Sequence, residues 1–135
     1  MGRPLLILLD THVVAWLASG EERISRPAQA AIEQARQTVR GLAISDFTVV
    51  ELSMLFRKKQ FVLAVSPEAF LAEVERRFVV LPVSAGIALQ AFELPASYPR
   101  DPADRIIGAT ALVEDIPLLT TDREIRKSRA VPTIW

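Results

Sequence analysis

The stretch Leu5-Leu6-Ile7-Leu8-Leu9-Asp10-Thr11-His12-Val13-Val14 decides the fold class. Five apolar residues in a row, with no polar alternation, suit a strand buried on both faces, as in a parallel sheet covered by helices. Leucine is not a strong strand former, so the shortness of the run and its context carry the assignment. Asp10 ends the run, and Thr11 to Leu17 reads as a helix directly after it.

Working outward, the same strand-then-helix unit recurs. Ser25 offers an N-cap with Pro27 in the first turn of a helix to about Gln37. Gly41 to Ile44 is a second short strand, and Ser45 caps a helix from Asp46 to about Lys59. Ser66-Pro67-Glu68 starts another, ending near Arg76-Arg77, whose charges suit the negative end of the helix dipole. Phe78 to Leu81 is a third strand, stopped by Pro82, and Ser84 caps a helix to about Glu93. Pro95 to Pro99 is a loop, and Asp101-Pro102 opens a helix through Val113. Leu118 to Thr120 is a fourth strand and Val131 to Trp135 a fifth candidate. Strands separated by helices imply crossover connections and a mostly parallel α/β sheet of four to five strands.

Composition narrows the function. The chain has 135 residues, 16 Lys and Arg against 16 Asp and Glu, one histidine and no cysteine. That length suits a single domain over residues 1–135, able to bury on the order of two thirds of its unfolded surface. Without cysteine there is no disulfide framework, zinc-thiolate site or cysteine nucleophile. No apolar run approaches the roughly 18 residues of a membrane span. Asp10 interrupts the first run before it reaches the length of a secretory signal, so the expectation is a cytoplasmic protein with no membrane partner.

The candidate chemistry lies in acids at strand ends. Asp10 and Asp122 each follow an apolar run, and in open α/β sheets ligands bind outside the carboxyl ends of the strands. Both also precede helices, so N-capping is an equal reading of each. In Asp101-Pro102-Ala103-Asp104, Asp101 reads as the cap and Asp104 as the third helical residue, free to point outward. Glu51 interrupts the largely apolar stretch Phe47 to Phe56, which reads as a mostly buried helix. A carboxylate buried there needs a cation, whether an arginine partner or a metal. Together the acids are the oxygen donors that Mg²⁺ prefers. His12 reads as a helix-surface or packing residue, and no Gly-x-Ser-x-Gly turn or glycine-rich phosphate loop is present.

At this point the residues resemble a known family. Leu8-Leu9-Asp10-Thr11-His12-Val13-Val14-Ala15-Trp16-Leu17, Ile44-Ser45 through Val50-Glu51-Leu52, Arg100 to Ile107 with Ala109 and Ala111, and Leu118 to Asp122 are similar, in order and spacing, to the motifs of the PIN-domain family. The closing Val131 to Trp135 is similar to the family's last strand. Within the family the likeness is to VapC-type toxins of toxin–antitoxin pairs, and it covers nearly the whole chain.

The resemblance implies a three-layer α/β/α domain with an acidic pocket at the carboxyl edge of its sheet. It also implies a Mg²⁺- or Mn²⁺-dependent endoribonuclease acting as a toxin. Asp10 and Asp104 would be the main metal ligands, Glu51 and Asp122 further ones, and Asp101 an accessory acid. Thr121 and Ser45 would position water or phosphate. Arg105 and Arg123, next to two of the acids, are candidates to contact RNA, with Arg57 to Lys59 and Arg126, Lys127 and Arg129 as further cations. The implied partners are an RNA substrate, a cognate antitoxin and a second copy of the chain, with a higher-order complex formed with the antitoxin. A non-catalytic module of the same fold, holding a basic peptide in its acidic pocket, is the alternative reading. A PIN-like nuclease acting on branched DNA is a third, disfavoured by the short chain.

Overall fold

Ile7, Leu8 and Leu9 have no exposed surface, and they form the central strand of the sheet. The structure is a computed structural model that describes residues 6–20, 23–38, 41–59 and 63–135. Residues 1–5, including Leu5 of the expected first strand and the start of the stretch read for targeting signals, lie outside the described residues.

Five strands, separated by one or two helices each, and seven helices lie among the described residues: β1 (Ile7–Leu9), α1 (Thr11–Ser19), α2 (Arg26–Arg36), β2 (Leu42–Ser45), α3 (Asp46–Arg57), α4 (Pro67–Arg77), β3 (Val79–Leu81), α5 (Ala85–Ala91), α6 (Pro102–Glu114), β4 (Leu118–Leu119), α7 (Arg123–Ser128) and β5 (Thr133–Ile134). All the pairings are parallel, in the order β3-β2-β1-β4-β5. The chain therefore builds outward from β1 on one side, crosses back, and builds outward on the other. The point where the order reverses lies between β1 and β4.

The expected capping residues are the observed ones. Ser25, Ser45, Ser66 and Ser84 each accept a hydrogen bond from a backbone N–H in the first turn of their helices, as Asp10, Asp101 and Asp122 also do. Element ends shift by a residue or two from expectation. α1 runs on to Ser19 and is closed by Gly20 in the left-handed region, where glycine carries no steric penalty. α5 stops at Ala91 and α3 at Arg57, while β3 begins at Val79 because Phe78 caps α4.

Strand alternation makes the three layers. Ile7, Leu9 and Ile44 face one way and pack with Val13, Ile32, Leu52, Phe70 and Val74 from α1 to α4. Leu8, Ala43 and Leu118 face the other way, against Tyr98, Ile107, Ala111 and Ile125. The apolar first run thus fills both cores at once, as a strand covered by helices on each face must. One sequence expectation fails here. α3 is not mostly buried: Thr48 and Leu52 are its buried residues, whereas Val50 is 51% and Met54 49% exposed. Apolar composition gives α3 the look of a core helix, but its packed face is a narrow stripe. No described helix is long and apolar enough to cross a membrane.

Candidate functional site

Register places the first two acids. Leu8 pairs with Leu118 and Leu9 with Leu119, so Asp10 and Thr120 stand side by side at the carboxyl ends of β1 and β4. The Asp10 N–H donates to the Leu119 carbonyl at 3.0 Å, which continues the ladder one residue past the strand. This is the crevice at the switch point where α/β sheets bind ligands. The Thr120 hydroxyl is completely buried and donates to Asp10 Oδ2 at 2.7 Å. Its oxygen also accepts from the Asp122 N–H at 3.1 Å, so one side chain ties both acids to the end of β4.

The other carboxylates come from helices. Thr11, the first residue of α1, donates from Oγ1 to Glu51 Oε1 at 2.6 Å and lies 3.1 Å from the Thr48 hydroxyl. Glu51 of α3 is thereby tethered to the element that follows Asp10. α6 carries Asp101 at its cap and Asp104 in its first turn. Asp101 Oδ1 accepts from the N–H groups of Ala103 (2.8 Å) and Asp104 (3.4 Å). Asp122 Oδ1 likewise accepts from Glu124 (2.8 Å) and Ile125 (3.1 Å).

These acids feel one another. Burial pushes the Asp104 carboxyl up to about 7, and the charges of Asp10, Asp101, Asp122 and Glu51 add to the shift. Burial also raises Asp10, against the hydrogen bonds from Thr120 and Thr11 and the charge of His12, with Asp122 adding to the rise. Glu51 is raised by burial and by Asp10 and Asp101, against the Thr11 hydrogen bond and His12. Tyr98 is pushed beyond the normal phenol range by burial and by Asp10, Asp104 and Asp122. No lysine or arginine forms an ion pair with any of these acids among the described residues. Among the described residues, then, the partner of Glu51 is the Thr11 hydroxyl and not an arginine. Nor, among the described residues, are three acidic or histidine side chains drawn close enough to hold a metal ion as they stand. Like-charged carboxylates with no cation between them repel. The donor set is nonetheless all oxygen, the chemistry that suits a hard divalent cation.

Several expected roles change. Arg105 is not a surface cation: it is 8% exposed, and its guanidinium donates to the carbonyls of Ala91, Leu94, Pro95 and Tyr98 at 3.1–3.4 Å. One residue along a helix is a rotation of about 100°, so the neighbour of an outward-facing Asp104 points into the protein. Arg105 and Tyr98 brace the loop before α6 together, since the Tyr98 hydroxyl donates to the Asp104 carbonyl at 2.9 Å. Gly108 admits this ring: a Cβ there would sit 2.2 Å from the Tyr98 oxygen. Ser45 is fully buried with its hydroxyl engaged as the α3 cap, so it is not open to a water or phosphate arriving from solvent. Thr121 makes no hydrogen bond to the acids among the described residues; Thr120 does. Thr120 and Thr11 are the residues that sequence reasoning missed. Matching strand ends would have revealed the first, because Asp10 and Thr120 hold the same place after Leu8-Leu9 and Leu118-Leu119. His12 is exposed, its ring 6.3 Å from that of Trp16. Away from the acids, an apolar hollow of about 580 Å³ lies among Val14, Leu17, Leu63, Phe70, Val74 and Phe78.

The family model of the PIN domain matches residues 7–130. The chain belongs to the PIN-domain family. Among relatives, this PIN domain is 34% identical over 131 residues to Ribonuclease VapC22 of Mycobacterium tuberculosis, covering 96% of this chain and 98% of that protein. Solved structures share the fold. The DNA-bound VapBC of Salmonella typhimurium superposes with a TM-score of 0.70 at 22% identity, covering 96% of each chain. VapC20 of Mycobacterium tuberculosis, a toxin that cleaves the sarcin-ricin loop, gives 0.66 at 16% identity, covering 91% of this chain and 95% of that one. The three-layer α/β/α arrangement is thus the PIN-domain fold, and the carboxyl edge of its sheet carries the acids.

Proposed function

We propose that this PIN domain is a divalent-metal-dependent endoribonuclease, the toxin of a toxin–antitoxin pair. The observation that carries the reading is the group of acids at the switch point of the sheet, with Asp104 pushed up to about 7 and no lysine or arginine paired to any of them among the described residues. Such a group is electrostatically incomplete, and a hard cation completes it. The identity to a ribonuclease over nearly the whole chain supports the same conclusion.

Asp10 and Asp104 are the primary ligands in this reading, with Glu51 and Asp122 as further direct or water-mediated ones. When bound, Mg²⁺ or Mn²⁺ supplies positive charge that orients the scissile phosphate, acidifies an attacking water and offsets charge on the leaving oxygen. The chain does the rest. Thr120 fixes the plane of the Asp10 carboxylate, Thr11 fixes Glu51, and the α7 amides hold Asp122, so three of the four donors are restrained and a cation has to draw the set together. Asp101 adds negative charge beside Glu51 and Asp104. The antitoxin, a homodimer and a cytoplasmic setting belong to the same reading; solved structures of the same fold are VapBC assemblies.

The test incubates the purified protein with RNA and Mg²⁺ and maps the new ends. EDTA and Asp10→Asn should each abolish cleavage while circular dichroism stays unchanged. Undiminished cleavage by Asp10→Asn would remove the site assignment. Binding of basic peptides with no metal-dependent cleavage would instead favour the non-catalytic module.

A further inference from the structure

Beyond the acids, four cations surround one hollow. Arg123, Arg126, Lys127 and Arg129 line a cleft of about 480 Å³ on α7 and the turn that follows it. All four are exposed, and none pairs with a carboxylate among the described residues. Their placement follows from the helix. Ile125 is buried and anchors α7 to the sheet, so at about 100° per residue Arg123, Arg126 and Lys127 share the opposite, outward sector. Arg129 reaches the same hollow because it ends the helix in the left-handed region, at φ 54°. The turn is fixed by Ser128, whose hydroxyl donates to the Ile125 carbonyl at 2.6 Å and accepts from the Ala130 N–H at 3.2 Å.

We propose that this cleft is a phosphate-binding subsite that grips the backbone of single-stranded RNA beside the scissile bond. The strand's identity rests on the ribonuclease reading; the anion-binding character does not. Four like charges around one hollow favour an anion. The cleft also lies on the helix that Asp122 caps, which sets it next to one of the acids. Arg126 stands one turn on, its backbone N–H donating to the Asp122 carbonyl at 3.1 Å. A strand whose scissile phosphate lies at the acids presents its neighbouring phosphate about one such turn away. That phosphate is held there covalently, whereas an acidic peptide would have to settle beside carboxylates that repel it. The lining has no aromatic ring on which a base could stack, so the grip adds affinity and fixes the strand's direction without reading sequence.

The experiment measures binding of the full-length protein to a fluorescent 12-nucleotide RNA of mixed sequence, in EDTA so that no cleavage occurs, from 50 to 200 mM salt. Every cation that neutralises a phosphate of a single strand contributes about 0.7 to the log–log salt slope. Arg126→Ala/Lys127→Ala removes two, so the variant's affinity should fall about sevenfold less than the wild type's across that range. At 50 mM salt its binding should be weaker by on the order of tenfold. Arg126→Lys/Lys127→Arg should keep the wild-type slope. DNA of the same sequence should lose affinity by the same factor, since phosphate contacts carry no information about the sugar. An unchanged slope and affinity in the alanine variant would overturn the subsite. So would an oligo-glutamate peptide of equal charge that displaces the RNA from wild type at equal concentration. If Mg²⁺ gives no cleavage while the slope still falls, the nuclease reading fails and the subsite stands.

Discussion

Replacing Asp104 with asparagine should stabilise the metal-free protein while destroying the proposed activity. The Asp104 carboxyl accepts no hydrogen bond from a described residue, and burial together with four other acids raises it from 3.8 to about 7. The sign follows from linkage. With the folded value above the unfolded one, the native state binds more protons between about pH 4 and 7, so stability falls as pH rises through that window. Below about pH 4 the group is protonated in both states and the penalty is absent. Above about pH 7 it is complete. A difference of about three pH units corresponds to about 4 kcal/mol at 1.36 kcal/mol per unit. Asp104 is only partly buried, so solvent screening reduces this to about 1–2 kcal/mol. Asparagine is close in shape, stays neutral, and leaves the Tyr98 bond to the backbone carbonyl in place. Urea unfolding in EDTA at half-unit steps from pH 4 to 8 measures the difference. The two proteins should coincide near pH 4 and diverge steadily, with the variant about 1–2 kcal/mol more stable at pH 8. A variant less stable than wild type at pH 8, or a gain independent of pH, would refute the reasoning.

Other expectations follow from the same geometry. Mg²⁺ at a hundred times its dissociation constant should stabilise the wild type at pH 8 by about 2.7 kcal/mol, read as a thermal shift, and should do far less for Asp104→Asn. Cleavage should fall as pH drops below about 7, because protonation of Asp104 competes with the metal; a profile flat to pH 5 would contradict this. Arg105→Met should cost about 3 kcal/mol in urea unfolding, since it strips donors from four carbonyls, and Arg105→Lys should rescue little because an ammonium lacks the planar fork. Thr120→Val should remove a bond that favours the ionised form of Asp10 and shift the activity midpoint to higher pH.

What the sequence discloses, and what it withholds, depends on periodicity. β1 is legible because five apolar residues in a row have one common explanation, a strand buried on both faces, and both cores draw on it. Asp10 and Asp122 are legible as carboxyl-end residues for the same reason. Arg105 is misread when adjacency in the chain is taken for adjacency in space, which a helix contradicts at every step. Thr120 goes unnoticed beside Thr121 for a similar reason, one residue along an extended segment being the opposite face. Composition overstates the burial of α3 because it cannot tell a packed stripe from an apolar surface; Val50 and Met54 lie on the latter.

The hardest ambiguity in the sequence, whether each aspartate caps a helix or serves a site, poses a false choice. A carboxylate has two oxygens. Asp122 and Asp101 each place Oδ1 against two amides of the helix they begin, and no described donor takes the other oxygen. Asp10 divides its pair, with Oδ1 on the Thr11 amide and Oδ2 on the Thr120 hydroxyl. Capping fixes the side chain and leaves one oxygen of Asp101 and of Asp122 without a described donor, open to a cation under the proposed function. A parallel sheet repeats this arrangement, because strand ends and the helix starts that follow them share one edge. Asp104 lacks that anchorage. It lies past the cap, accepts no hydrogen bond from a described residue, and is the acid pushed up to about 7. Burial raises the capping Asp10 as well, but there the Thr120 and Thr11 hydrogen bonds oppose the shift; at Asp104 no described side chain does, so under the proposed function its titration is the expected reporter of cation binding.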